Sequence, residues 1–256
     1  MRALLSIVYG LAAYLAFSAT LLWFIGFSGN LLVPKSVDVG GAGAPWPQAL
    51  ATDASLLLLF GLQHSVMARG GFKAWWTTIV PPIVERSTFV VASSLVLALV
   101  MACWTPIATP VAWQVDGPAA VLLWAGFGIG WAVVALSTFL LDHFELFGLR
   151  QAFSALTGRR APEGEFRTPL LYRHVRHPLY LGFLIAFWSV PVMTAGHLAF
   201  SLGMSAYILV GIAFEERDLV AQFGERYRAY RRQVGMLIPR IGGPDRKHGA
   251  SGNGLG

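Results

Sequence analysis

Residues 172–182, YRHVRHPLYLG, gather Arg173, His174, Arg176 and His177 at the mouth of an apolar stretch. Pro178 suits the first position of a helix, where its missing N–H would have no intrahelical acceptor in any case. The N–H groups just behind it then face outward and suit a carboxylate or another polar ligand group. The same side chains also make sense as a basic membrane flank whose arginines snorkel to water. That reading accounts for the arginines but not for proline followed by Tyr180 and Gly182. A second cluster, Glu215-Glu216, closes the last apolar run. Glu215 lies four residues before Leu219 on a stripe of Leu219, Phe223, Tyr227, Tyr230 and Val234, so it is expected to face the protein. A buried carboxylate needs a cation, a hydrogen-bond donor or a ligand that brings one. Arg173, Arg176 and His177 are candidates within the chain. The alternative is an acidic pair solvated at the boundary, or stabilising the start of the next helix. His64, Asp142 and His143 are further ionisable groups in or beside apolar runs. No zinc or iron ligand spacing and no Gly-rich dinucleotide fingerprint appears.

Membrane helices must position these groups. Of 256 residues, 55% are hydrophobic and 12% charged, against about a quarter charged in soluble domains. This excludes an ordinary soluble domain and an ordinary disordered chain. Nineteen Lys and Arg against thirteen acidic residues give +6; in so apolar a chain they mark loops facing anionic lipid rather than nucleic acid. The single cysteine, Cys103, excludes an intrachain disulfide. Apolar runs at 4–27, 49–68, 87–107 and 119–141 can each cross a membrane. The first is too long for a signal peptide core and lacks a cleavage pattern, so it reads as a retained helix. Residues 28–47 form a loop. Residues 70–84, with Trp75, Trp76 and Pro81-Pro82, read as an interfacial segment broken by its prolines. Runs 179–194 and 198–214 are either two spans or a hairpin that does not fully cross. The stripe from Leu219 to Val234 predicts one amphipathic helix. With the N-terminus inside, eighteen of the nineteen basic residues fall on the inner face and Lys35 alone falls outside.

RHPLYLG, followed after two apolar segments by EERDLVAQFGERYRAYRRQVGMLIP, resembles the C-terminal signature of the isoprenylcysteine carboxyl methyltransferase-like membrane enzymes, to which phospholipid methyltransferases are related. The resemblance spans residues 164–239. It implies S-adenosylmethionine bound at the cytoplasmic membrane face by Tyr172, Arg176, His177, Pro178, Leu179, Tyr180, Glu215 and Glu216. An upstream strip containing Phe166 and Arg167 would add contacts. The prenylcysteine enzymes carry an arginine four residues before the glutamate, where Gly211 stands here. That departure points to a smaller, less polar acceptor. GLQHSVMAR (61–69), FKAWW (72–76), ERSTF (85–89) and DHFELFGLRQ (142–151) resemble the bacterial methanethiol S-methyltransferases and the related NnrU-like membrane proteins. The first resemblance implies methylation of methanethiol to dimethyl sulfide.

Thiol methylation needs a thiolate in line with a methyl–sulfur bond, so a proton acceptor is useful. His64 is the expected acceptor or relay, with Asp142 orienting it and His143 as a competing base. The same three could instead form an interhelical hydrogen bond with no catalytic part. Trp75, Trp76, Phe144 and Phe147 line an apolar substrate pocket, or else pack and anchor at the interface. The expected fold is all-α: a polytopic membrane helical bundle of five to six transmembrane helices with a C-terminal amphipathic cytoplasmic helix. A single domain covers 1–241, with halves at 1–149 and 150–241, followed by a flexible tail at 242–256. The expected setting is a bacterial inner membrane with both termini cytoplasmic. The expected partners are a small hydrophobic thiol and the lipid bilayer, with no metal and no nucleic acid. Three other readings remain: methylation of a lipid or prenyl-like acceptor, a non-catalytic NnrU-like accessory, and an NADPH-dependent sterol reductase, for which no 2′-phosphate clamp is evident.

Overall fold

The computed structural model describes residues 2–41, 43–157, 166 and 168–240. Arg167 and the tail at 242–256 lie outside the described residues. In chain order the elements are α1 (Arg2–Gly29), α2 (Trp46–Met67), α3 (Gly70–Trp76), α4 (Pro82–Cys103), β1 (Val111–Gln114), α5 (Gly117–Leu141), α6 (His143–Leu146) and α7 (Leu149–Thr157). A 3-10 turn at Leu170–Arg173 follows, then α8 (Pro178–Trp188), β2 (Val192–Thr194), α9 (Ala195–Phe223) and α10 (Glu225–Gln233). Among the described residues, five helices, namely α1, α2, α4, α5 and α9, are long and apolar enough to span a bilayer. The chain is an integral membrane protein of nearly all-α class.

Proline sets several of the helix starts. It occupies the first or second position of α2, α4, α5 and α8, where it costs no hydrogen bond and presets φ. Pro81-Pro82 therefore opens α4 instead of breaking an interfacial segment, and only α3 remains there. The two runs after Arg176 are unequal. α8 has 11 residues, about 16 Å of helix and half a hydrocarbon core. Its extended continuation through β2 pairs antiparallel with β1, Val111 opposite Thr194, in the loop between α4 and α5. α9 then starts at Ala195, capped by the Thr194 side chain accepting from the His197 N–H at 3.0 Å. Its 29 residues reach about 43 Å, so its last turns extend past the apolar layer and carry Glu215 and Glu216 to the same end as the start of α8.

The expected single amphipathic helix over 219–234 is two helices. The chain reverses at Gly224, whose φ of +55° favours glycine, and α10 folds back as a short hook. α5 and α8 approach most closely at Gly130 and Gly182. A Cβ on Gly130 would sit 2.7 Å from the Gly182 carbonyl oxygen, and one on Gly182 2.7 Å from that of Gly130. The core is aromatic: Phe24 meets Trp131, Phe187 and Phe200 edge-on, at 5.9, 5.9 and 6.0 Å between centroids.

The end opposite α10 is tied by polar contacts from the 30–41 loop. Asp38 accepts from Asn30, Thr194 and His197, the last at 2.9 Å. Trp104 Nε1 donates to the Val37 carbonyl at 3.1 Å, and Asp53 accepts from the Thr105 N–H at 2.8 Å. The carboxylate of Asp53, inside α2, is thus a contact within the bundle.

Candidate active site

The start of α8, the C-terminal turns of α9 and the α10 hook converge on residues 172–182 and 215–216. His177 is the N-cap residue of α8 and Pro178 its first residue, as the sequence predicts. The backbone is fixed from the side, with Arg176 N–H donating to the Gly235 carbonyl at 2.8 Å and His177 N–H to that of Met236 at 3.2 Å. The acidic pair is arranged differently from expectation. Glu216 is the buried carboxylate and Glu215, with 43% of its side chain exposed, borders the open side. Glu216 continues the buried α9 face of Ile208 and Ile212 at intervals of four, whereas the stripe used to place Glu215 runs across the Gly224 reversal.

Glu216 Oε1 accepts from Arg176 Nε at 2.6 Å and lies 3.2 Å from His177 Nε2; its Oε2 lies 3.1 Å from Arg231 Nε. Arg176 also donates to the Val234 carbonyl. This network welds α8, α9 and α10 together, so Arg176 and Glu216 are occupied with each other. His177 Nδ1 faces Glu215 Oε2 at 3.9 Å, and the ring of Tyr180 lies 5.6 Å from that of His177. Tyr172 is buried, and its carbonyl accepts from the Tyr230 hydroxyl at 2.5 Å. Burial, and after it the Glu215 charge, push the Tyr172 phenol above its usual range, so it stays protonated. Phe166 lies on Phe223, Tyr227 and Tyr230, and its carbonyl accepts from Arg226 at 3.1 Å.

The donor set suits a ligand with an ammonium, a carboxylate and hydroxyls. Glu215 can take a cation, and the first N–H groups of α8 can take an anion. On the hook, the buried Tyr227, against Phe166 and Tyr230, has a hydroxyl with no hydrogen-bond partner among the described residues. An orphaned buried hydroxyl at this place fits a polar ligand.

His64 is half-buried between α2, α4 and α9. Its Nδ1 is 3.2 Å from Ser93 Oγ, and the rings of Phe60, Phe89 and Tyr207 surround it at 5.5, 4.9 and 6.4 Å. Tyr207, which no sequence signal distinguishes from the apolar run around it, brings α9 into this box, edge-on to Phe60 and His64. Asp142 is not joined to His64 by any hydrogen bond among the described residues. It caps α6 by accepting from the Glu145 N–H at 3.1 Å and is paired with Arg150. Both nitrogens of His143 are engaged, Nε2 with Tyr14 and Nδ1 with Thr138, each at 2.8 Å. Burial lowers its pKa from the usual histidine value. The aromatic candidates form two separate groups. Trp75 and Trp76 cluster with Phe72 on α3, whereas Phe147 stacks on Phe17 at 4.0 Å beside α1 and Phe144 is exposed.

Over 235 residues the chain is 52% identical to Methanethiol S-methyltransferase 2 of Bradyrhizobium diazoefficiens, which spans 92% of this chain and 90% of that protein. It is likewise 52% identical over 240 residues to Methanethiol S-methyltransferase of Mycobacterium tuberculosis, covering 93% and 98% of the two chains. A more distant relative is Nurim of Sus scrofa, 31% identical over 178 residues, 66% of this chain and 68% of that one. No family profile and no solved structure matches the chain.

Proposed function

This chain belongs to the methanethiol S-methyltransferase family, and from that premise we propose that it methylates methanethiol to dimethyl sulfide with S-adenosylmethionine as donor. It is a membrane methyltransferase. The observation that carries the site is the convergence of Glu215, His177, Tyr180 and the start of α8 beside the orphaned Tyr227 hydroxyl. The donor, when bound, supplies an electrophilic methyl on a sulfonium and departs as a neutral thioether. Glu215 holds its ammonium, while His177, Tyr172, Tyr180 and the N–H groups of Leu179 and Tyr180 fix its remaining polar groups. Phe166 closes the site from the hook side. Arg167 belongs to the same strip by its resemblance.

His64 takes the thiol proton as the sulfur attacks the methyl carbon and the methyl–sulfonium bond breaks. Its imidazole, with Nδ1 on Ser93, sits among the rings of Phe60, Phe89 and Tyr207, an apolar setting suited to a small thiol with one basic nitrogen beside it. His143 and Asp142, both already hydrogen-bonded, serve to set the α5–α6 corner. Trp75, Trp76 and Phe144 anchor the protein at the interface. Nothing lies within 4 Å of a Cβ built on Gly211, and no cation stands at that position to hold a carboxylate-bearing acceptor. The proposed setting is a bacterial inner membrane with both termini and the donor site cytoplasmic, which puts the basic residues inside.

Incubating purified protein in nanodiscs with S-adenosylmethionine and either methanethiol, longer thiols or phospholipid tests this reading. Dimethyl sulfide in the headspace is the expected product, with turnover falling as the thiol lengthens. Methylated phospholipid without dimethyl sulfide would overturn it.

A further inference from the structure

Tyr227 is 1% exposed, its hydroxyl has no partner among the described residues, and no expectation from sequence assigned it a role. A buried hydroxyl left unpaired costs about 1–3 kcal/mol. Its neighbours on the protein side are already committed. Glu216 has Oε1 on Arg176 and His177 and Oε2 on Arg231. The rings of Phe166 and Tyr230 lie 5.8 Å from that of Tyr227, and the Tyr230 hydroxyl is spent on the Tyr172 carbonyl.

Charge bookkeeping then fixes what a ligand group beside Tyr227 should be. Among the described residues, two guanidinium groups, Arg176 and Arg231, meet the one carboxylate of Glu216, an excess of one positive charge. The remaining carboxylate, Glu215, lies across His177 from it, 3.9 Å from Nδ1. An α-amino-acid group carries both complements at once, with its ammonium toward Glu215 and its carboxylate toward the arginine side.

We propose that the Tyr227 hydroxyl is a further ligand of the methyl donor and donates its hydrogen bond to the donor's carboxylate. This rests on the reading that the chain binds S-adenosylmethionine, and it adds the hook α10 to the binding machinery. Burial, and after it the Glu216 charge, push the Tyr227 phenol upward, so the hydroxyl keeps the proton it donates.

The probes are S-adenosylhomocysteine, which keeps the amino-acid tail, and 5′-methylthioadenosine, which lacks it. Calorimetry on the full chain in detergent should show Tyr227→Phe binding S-adenosylhomocysteine about tenfold more weakly. Its affinity for 5′-methylthioadenosine should change less than about twofold, the span of a lost contact that the ligand never makes. The thermal midpoint of unliganded Tyr227→Phe should equal or exceed that of the wild type, because the substitution deletes an unsatisfied group. Tyr230→Phe is the contrast: it strands the Tyr172 carbonyl and should lower the unliganded midpoint. Equal weakening of both probes by Tyr227→Phe, no weakening of either, or a lowered unliganded midpoint overturns the inference. A wild-type protein that binds neither probe overturns the donor reading itself and this inference with it.

Discussion

Glu215 and Glu216 are adjacent in sequence and opposite in surroundings, and the difference predicts separable defects. Arg176→Met strands Glu216, 7% exposed, without its closest cation. Breaking a buried pair costs about 3–5 kcal/mol, so the thermal midpoint should fall by several degrees before any ligand is added. Glu215→Gln removes a half-exposed carboxylate; it should leave that midpoint in place and weaken donor binding. Identical midpoints for the two variants would contradict this division. His64→Gln belongs to the chemical step and should lower kcat about hundredfold or more while donor affinity is retained; near-normal turnover with saturating thiol would remove His64 as the base. That the residues 172–182 and the acidic pair form one polar cluster was legible in the sequence, because polar types at an apolar boundary stand out. Which glutamate is buried was not legible, since the stripe that placed Glu215 runs through a backbone reversal that periodicity does not register. The partners of Asp142 and His143 were not legible either, because Arg150, Tyr14 and Thr138 are ordinary residues until the helices meet.

Pro178 marked a helix start that the sequence revealed, whereas Pro81-Pro82 read as a break and in fact opens α4. Helix ends and pairings were less legible. Gly224 looks like any glycine until its φ is known, and the 11-residue α8 shares its apolar run with a strand that needs β1 as partner. The contact that places α8 is the approach of Gly130 and Gly182. A Cβ at either would meet backbone atoms 2.6–2.7 Å away, which only a separation of the helices relieves. Gly130→Val should therefore destabilise by about 1–3 kcal/mol or more and move the start of α8 relative to Glu215. The expected readout is a lowered thermal midpoint together with weaker donor binding. Gly128→Val, on the same helix with nothing within 4 Å of its Cβ position, should change neither.

At the scale of the whole molecule, one end of the bundle is a polar weld and the other holds the candidate chemistry. The weld has a pH signature. Burial would raise the Asp38 carboxyl, but the bonds and charge of His197, with Thr194 and Asn30, outweigh it and hold the pKa below the usual value. A carboxyl depressed on folding stabilises the protein above its unfolded pKa, about 3.9, and loses that contribution as pH falls through the lower folded value. The thermal midpoint should drop below about pH 4, and Asp38→Asn should be less stable above it and flatter across it. The all-α class and four of the spans follow from composition and hydropathy, which is why they were legible, while the last two runs stayed open between two spans and a hairpin; the weld depends on side chains 156 and 159 residues apart and was not. The central claim places methyl transfer to methanethiol at the opposite end, around Glu215 and His177. It is tested most directly by incubating purified protein with methyl-labelled S-adenosylmethionine and methanethiol and counting label in headspace dimethyl sulfide. The account predicts labelled dimethyl sulfide from the wild type and a loss of about hundredfold or more for Glu215→Ala and His177→Ala at a fixed low donor concentration. Labelled product formed equally well by both variants, or none from the folded wild type, would contradict it.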